Sequence, residues 1–375
     1  MNVGTIVIGA GIAGASAAWT LAEHGSVVLV EQEDSPGYHA SGRSASVLSE
    51  TSGHRVVCAL TAASRSFFES PPAGFADHPL LSPRGLLWVG EYGDTALLDD
   101  IAATARTVAA SVSRLTPAEV LVLFPHFRQQ AVAGGGTFEP DAMAIDTDAL
   151  LQGFIHGLRQ RGGHVITSSE AVEIRRIDNA WEVIAGAQTL CAPVVVNAAG
   201  AWGDVIAQRA RVPVLGLEPR RRTACVAALA DVDAHWPLVM DVAGRYYFEP
   251  ESAGLLVSSA DTTLSMPCDA RAEEIDIAVA LDRVREATTL PVRSVRRAWA
   301  GLRTFSTDGA PVVGEEPTAP GFWWLVGQGG GGIKTAPAMA EALAAMVHRE
   351  PLPASVVDRG VNAADLSPAR FRHQV

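Results

Sequence analysis

Short apolar runs and longer stretches of helical period divide this chain. Thr5 to Ile8, Ser26 to Val30, Pro193 to Val196 and Trp323 to Val326 are compact, mostly β-branched or aromatic runs ended by glycine or polar residues, and they predict strands. Ala15 to Ala22 is alanine-rich and predicts a helix. So do residues 54–69, where Val56, Val57, Leu60, Ala63, Phe67 and Phe68 recur at helical spacing, and residues 335–348. Asp146-Thr147-Asp148 is an N-cap signature for a further helix over 148–161. Segments 171–174 and 181–184 alternate like a hairpin, and His164 to Thr167 adds a strand. A second pattern lies between these blocks. Leu86 to Val89 predicts a strand, and 94–124 one or two helices broken at Pro117. Strands follow at 222–229, 244–249 and 254–259, with a helix at 272–287.

Strands alternating with helices at both ends, around an interior richer in strands, predict an α/β protein that leaves its first domain and returns to it. The expected division is 1–80, 141–211 and 299–375 for the first unit, and 81–140 and 212–298 for the second. At 375 residues the chain has room for both.

The start of the chain carries the sharpest chemistry. The Thr5–Ile8 run flows into Gly9-Ala10-Gly11-Ile12-Ala13-Gly14, a G-x-G-x-x-G turn opening a helix. In that turn Gly9 permits the bend, Gly11 lets the backbone approach a pyrophosphate, and Gly14 lets helix and strand pack closely. Free N–H groups at the helix start, with the positive end of its dipole, attract the phosphates. The next run ends at Glu31, whose carboxylate suits the two ribose hydroxyls of an adenosine. A strand, the glycine spacing and an acid about twenty residues on together predict a dinucleotide site. The motif serves NAD and FAD alike; its place at the N-terminal end leans towards FAD.

Composition narrows the partners. A formal charge of −12 gives no electrostatic case for nucleic acid or an anionic membrane. No apolar run reaches about 18 residues, so no membrane span is expected. Residues 3–22 lack the basic start of a signal peptide. Cys58, Cys191, Cys225 and Cys268 are widely spaced and match no metal motif, so reduced thiols and a cytoplasmic location are expected.

Three blocks together resemble one family: the glycine turn with Glu31, the run Val196-Asn197-Ala198-Ala199-Gly200, and Trp299-Ala300-Gly301-Leu302-Arg303 followed by Gly327 to Thr335. They resemble the D-amino-acid oxidase superfamily of FAD enzymes and, within it, the bacterial D-arginine dehydrogenases. That resemblance implies a Rossmann-type FAD-binding domain with a second, antiparallel-sheet substrate domain. Non-covalent FAD is expected, because no cysteine lies in the C-terminal glycine run. The cofactor would lie along Gly9, Gly11, Ile12, Ala13, Gly14, Glu31 and Gln32, with Ser41, Gly42, Arg43, Ser44 and Ser46 beside the flavin. Val172, Ala199 and Gly200 complete that side. Gly330, Gly331, Gly332, Ile333, Lys334 and Thr335 would aim a helix N-terminus at the flavin N1–C2=O edge, where reduction places negative charge.

For the substrate the resemblance implies Arg303 as a carboxylate fork, Arg222 (with Arg221 beside it) as a second arginine, and Tyr247 as a hydroxyl donor. No catalytic side chain beyond the flavin is identified. The departures concern the side-chain pocket. Val47 and Ser52 stand where D-arginine dehydrogenases have a histidine and a tyrosine. Leu86 replaces a glutamate that meets a cationic side chain, and Gly331 an aromatic residue. The expected reaction is therefore oxidation of a small, neutral D-amino acid, with an unknown electron acceptor. A glycine- or sarcosine-type amine, or a 2-hydroxy acid, is the alternative substrate, and a non-catalytic FAD-binding protein the alternative of another class. Glu50 is the nearby carboxylate that could restore a preference for cations.

Overall fold

The computed structural model describes residues 1–107, 111–252 and 254–372. Its first sheet has six strands in the order Val312–Glu315, Phe322–Val326, Val194–Asn197, Thr5–Ile8, Val27–Val30, His164–Ile166. All neighbours run parallel except the outermost pair, Val312–Glu315 with Phe322–Val326. The apolar runs are continuous because both faces are covered. Val7 and Leu29 pack with the helices Ile12–Leu21, Arg55–Glu69, Thr147–Gln160 and Gly332–Val347 on one side. Ile6, Ile8, Val28 and Val30 pack on the other against a three-stranded sheet, Ala171–Ile177, Ala180–Ala185 and Gln188–Ala192, and the helix Gly203–Arg209.

The second large sheet has nine strands and is antiparallel apart from one parallel pair, Leu86–Val89 with Leu238–Asp241. Its long members are Glu218–Ala227 and Val295–Phe305, paired along almost their whole length. The helix Glu274–Ala287 covers one face over Leu87, Val89, Cys225, Phe248 and Val257. The opposite face carries Leu86, Trp88, Tyr247 and Leu256 and turns towards the first sheet's glycine loops. Together these layers give the α/β FAD-binding fold with its antiparallel companion. Val295–Phe305 crosses the expected division at residue 299, so the strand bearing Arg303 runs in the second sheet.

Local expectations differ in a few places. Residues 41–44 form a single turn over Ser41–Arg43 that gives way to extended backbone at Ser44. Pro117 starts a helix rather than breaking one. It sits in the first turn behind Thr116, which caps Glu119 in a reciprocal box, and the helix runs Pro117–Leu123. Between it and the helix Thr95–Thr107 comes a short strand, Ser113–Leu115, while 108–110 of that stretch lie outside the described residues. Among the described residues no helix is long and apolar enough to cross a membrane, and no cluster of His, Cys, Asp and Glu could hold a metal.

Candidate active site

The glycine turn takes the shape its sequence demands. Gly9 has φ +100°, and a Cβ there would touch the Ala198 carbonyl and Ala199. The helix Ile12–Leu21 begins at Gly11 with no side-chain cap, and its Ile12 N–H donates to Ser41 Oγ at 2.9 Å. Glu31 is oriented by two backbone donors, Ala10 N–H at 2.7 Å and Glu33 N–H at 3.0 Å, one to each carboxylate oxygen. Each oxygen keeps a lone pair for a ribose hydroxyl.

These groups line one cavity. Its wall brings together Gly9, Gly11, Ile12, Ala13, Glu31, Gln32, Ser41, Arg43, Ala199, Gly200 and Gly332 from the expected cofactor residues. Its wall also includes Ser169, Trp202 and Thr304, which the sequence reading missed. Trp202 packs against His39 with ring centroids 4.6 Å apart and the ring planes tilted by 43°. Thr304 is the informative one: its Oγ1 is buried without a hydrogen-bond partner and lines the cavity. Such a hydroxyl calls for a polar ligand. Two uncapped helix starts, at Gly11 and at Gly331, complete an environment that fits an anionic dinucleotide. When FAD is bound there, its flavin supplies the two-electron acceptor.

A second cavity shares Ile12, Ser41, Arg43, Gly301, Leu302 and Gly332 with the first. It adds Ser44, Gly330 and Ile333 on one side and Arg222, Tyr247 and Arg303 on the other. Strand alternation sorts the arginines. Arg303 lies opposite Arg220 in the ladder and Arg222 opposite Gly301, so all three side chains share a face. Gly301 has no side chain to fill the space before Arg222. Arg220 is held by Glu218 at 2.5 Å over the Phe305 ring. Arg222 donates from Nε to the Asp261 carbonyl at 2.7 Å and lies over Tyr247. Burial, and then repulsion from Arg303, pull its guanidinium below the ordinary arginine value. Among the described residues Arg303 makes no hydrogen bond or ion pair. Two cations thus face a cavity whose lining, among the described residues, includes no carboxylate, with Asp261 attracting Arg222 from outside it, and this suits an anionic ligand.

Several expected site residues sit elsewhere. Arg221 points to the opposite face and is spent on Glu273, Asp276 (3.0 Å) and Asp261 (3.8 Å), as the pleat requires. Lys334 is buried and donates to Ser49 O, Ser52 O and Ser52 Oγ at 2.6–2.8 Å, so its ammonium clamps a turn and lines neither cavity. Ser52 is consumed in the same clamp. Thr335 bonds back to the Gly331 carbonyl within its own helix. A Cβ on Gly331 would meet Val57 at 2.6 Å; the position that faces Arg303 is Gly330. Gly42 packs on the Gly37 carbonyl, and Ser46, which bonds Ser44, faces a different cavity. Val172 is half exposed, is the residue skipped at a β-bulge between Ala171 and Glu173, and lines neither cavity. Val47 and Leu86 pack in the apolar cluster around Tyr247 and line neither cavity. Glu50 is paired with Arg65 at 2.5 Å.

Cys268 lies at the wall of the dinucleotide cavity and is exposed, whereas Cys58 and Cys225 are buried, and burial pushes both thiols up. The glycine run next to the flavin position contains no cysteine. Acid precipitation should therefore leave the yellow colour in the supernatant as intact FAD. Colour retained in the pellet of the wild type, and freed in Cys268→Ser, would instead reveal a covalent link.

Comparison with known proteins agrees with this geometry. The family model described as FAD dependent oxidoreductase matches residues 5–346. FAD-dependent oxidoreductase domain-containing protein 1 of Bos taurus is 27% identical over 91% of this chain and 80% of its own length. Glycine oxidase of Bacillus licheniformis is 25% identical over 93% of this chain and 94% of its own. The bifunctional tRNA 5-methylaminomethyl-2-thiouridine biosynthesis protein MnmC of Pseudomonas putida is 28% identical, but this chain spans only 57% of it. Among solved structures, glycine oxidase from Geobacillus kaustophilus superposes with a TM-score of 0.84 over 98% of this chain and 99% of its own, at 20% identity. None of these is a D-arginine dehydrogenase, and that narrower likeness rests on the sequence blocks alone. With the glycine turn, the oriented Glu31 and a family match over nearly the whole chain, this protein belongs to the FAD-dependent oxidoreductases of the D-amino-acid oxidase family.

Proposed function

We propose that this chain oxidises a small, neutral amino acid, a D-amino acid in the first instance, by removing hydride from Cα. The observation that carries the reading is Arg303, a guanidinium without a protein partner among the described residues, sharing a cavity with the half-committed Arg222. Its neighbour Arg221, by contrast, is paired with three carboxylates. The substrate carboxylate bridges Arg303 and Arg222 and takes a further hydrogen bond from Tyr247, fixing Cα over the flavin. Desolvation in a cavity already holding two cations favours the neutral amine, the form that can release hydride. The imino acid then hydrolyses in water to a 2-oxo acid and ammonia.

Neutrality of the substrate side chain is supported by two placements. Leu86 lies in an apolar cluster with Trp88, Leu98 and Tyr247, and Glu50 is neutralised by Arg65. Within the substrate cavity itself a cationic side chain would find no carboxylate among the described lining residues to offset its desolvation. The test is anaerobic bleaching of the flavin by a panel of D- and L-amino acids, glycine, sarcosine and 2-hydroxy acids. D-Leu, D-Met or D-Phe should exceed D-Arg and D-Lys in kcat/KM; the reverse order overturns the neutral pocket. Glycine or sarcosine is the second candidate, favoured by the similarity to glycine oxidase over nearly both whole chains.

A further inference from the structure

A third cavity, of about 530 Å³, lies on the other side of the segment Gly42 to Ser46 and shares Arg43, Ser44 and Ala45 with the substrate cavity. That volume is within the range of small-molecule sites, roughly 300–1,000 Å³. It lies on the same sheet face as Tyr247, because Glu249 stands two residues along one strand from Tyr247 and Trp299 two along another from Gly301.

Its polar groups are poorly matched to one another. Glu249 is 7% exposed and makes no hydrogen bond among the described residues. The nearest cation is Arg84, whose Nε lies 3.7 Å from Oε2, beyond hydrogen-bond reach. That Nε is itself buried without a partner, while Nη1 of Arg84 is taken by the Ala234 carbonyl at 3.1 Å. A second pair, Glu251 and Arg297, also stands 3.7 Å apart in the same cavity, although Glu251 Oε1 already accepts from the Ser252 N–H at 3.1 Å and its hydroxyl at 2.9 Å. Arg84 Nε is thus a buried donor without a hydrogen-bond partner among the described residues, a costly state, and the Glu249 carboxylate facing it is offered no donor within hydrogen-bond reach among them. The opposed deficits ask for a ligand that carries an acceptor anion and a donor cation together. Leu256, Pro250 and Ile145 provide an apolar wall beside them. The Trp299 indole N–H is committed to the Arg43 carbonyl at 3.0 Å.

We propose that this outer cavity binds a zwitterionic α-amino acid, with its ammonium at Glu249 and its carboxylate at Arg84 and Arg297, one layer of chain outside the substrate cavity. The proposal rests on the reading of the substrate as an amino acid. A 2-oxo acid has no ammonium and leaves Glu249 unsatisfied, so the site separates substrate from product. Burial pushes the Glu249 carboxyl up to about 7, with Arg84 opposing and Glu251 adding to the rise. The carboxylate is therefore charged above about pH 7 and protonated below it, and the ammonium should bind more tightly at pH 8 than at pH 6.

The experiment uses FAD-loaded protein reduced with dithionite, which cannot consume its substrate, and equilibrium dialysis with D-leucine. The wild type should bind two equivalents. Glu249→Gln should weaken one of them at least about tenfold. Arg297→Ala, at an exposed position that does not threaten folding, should weaken the same one about two- to fivefold. Arg303→Ala should lose the other equivalent and keep the outer one. 4-Methyl-2-oxopentanoate should not compete at the outer site. A wild type that bleaches with D-leucine yet binds a single equivalent, unaffected by Glu249→Gln, overturns the outer site and leaves the proposed function standing. If no amino acid bleaches the flavin and none binds, both fall together.

Discussion

Arg303→Ala should lower kcat/KM for the best substrate at least about thirtyfold while leaving FAD bound. The estimate follows from removing one member of a desolvated charge pair, which costs roughly 2–5 kcal/mol and so appears as that loss or more. Arg303→Lys keeps the charge but loses the planar fork, and should recover only part of the rate. Stability separates a binding role from a structural one. Arg303 has no protein anion to lose among the described residues, and it stands beside another cation, Arg222, whose charge it disfavours. Removing it relieves repulsion, so the alanine variant should melt no lower than the wild type. A melting temperature several degrees lower with unchanged kinetics would show that Arg303 serves the fold.

Gly14→Ala should abolish FAD retention. A Cβ on Gly14 would lie 1.8 Å from the Gly9 carbonyl oxygen, and that obstacle is backbone in the very turn that meets the pyrophosphate. The helix Ile12–Leu21 must then move off the Thr5–Ile8 strand, taking its N-terminal N–H groups out of register with the ligand. Overpacking of this kind costs about 1–3 kcal/mol in stability, and the displaced phosphate contacts add the loss of cofactor. Gly25→Ala is the matched control, since a Cβ there meets nothing within 4 Å. The ratio of flavin absorbance to protein, measured after gel filtration, decides the matter. A Gly14→Ala protein that stays fully yellow would mean the turn can relax without cost.

What could be read from the residues divides along a physical line. The four inner strands of the first sheet were legible because they are buried on both faces and the turn needs glycine at fixed offsets, both local demands, whereas the edge strand Val312–Glu315 was not foreseen. Glu31 was legible for the same reason, as spacing places it, whereas Arg222 and Arg303 were named from the family resemblance. Lys334 was not legible: a lysine in the first turn of a helix looks solvated or ligand-facing, and only the distant Ser49–Ser52 turn makes it a buried clamp. The pleat disqualifies Arg221, yet three consecutive arginines do not announce which one faces the cavity. Thr304 and Glu249 earn attention only through missing partners, and an absence of that kind has no signature in a sequence.

The strand order of the first sheet also dictates when the site can exist. Thr5–Ile8 leaves the ribosome early and pairs with Val27–Val30, but its other neighbour is Val194–Asn197, and Phe322–Val326 must follow to cover that strand in turn. The helix Gly332–Val347, which packs over the glycine-turn helix, is later still. Between the emergence of Val27–Val30 and that of Val194–Asn197, then, the nascent chain presents a nucleotide turn beside an unpaired parallel edge, a state prone to aggregation and dependent on contacts of long sequence separation. The cofactor has no complete cradle to enter until the helix Gly332–Val347 is out, so its capture follows the assembly of this sheet rather than seeding it.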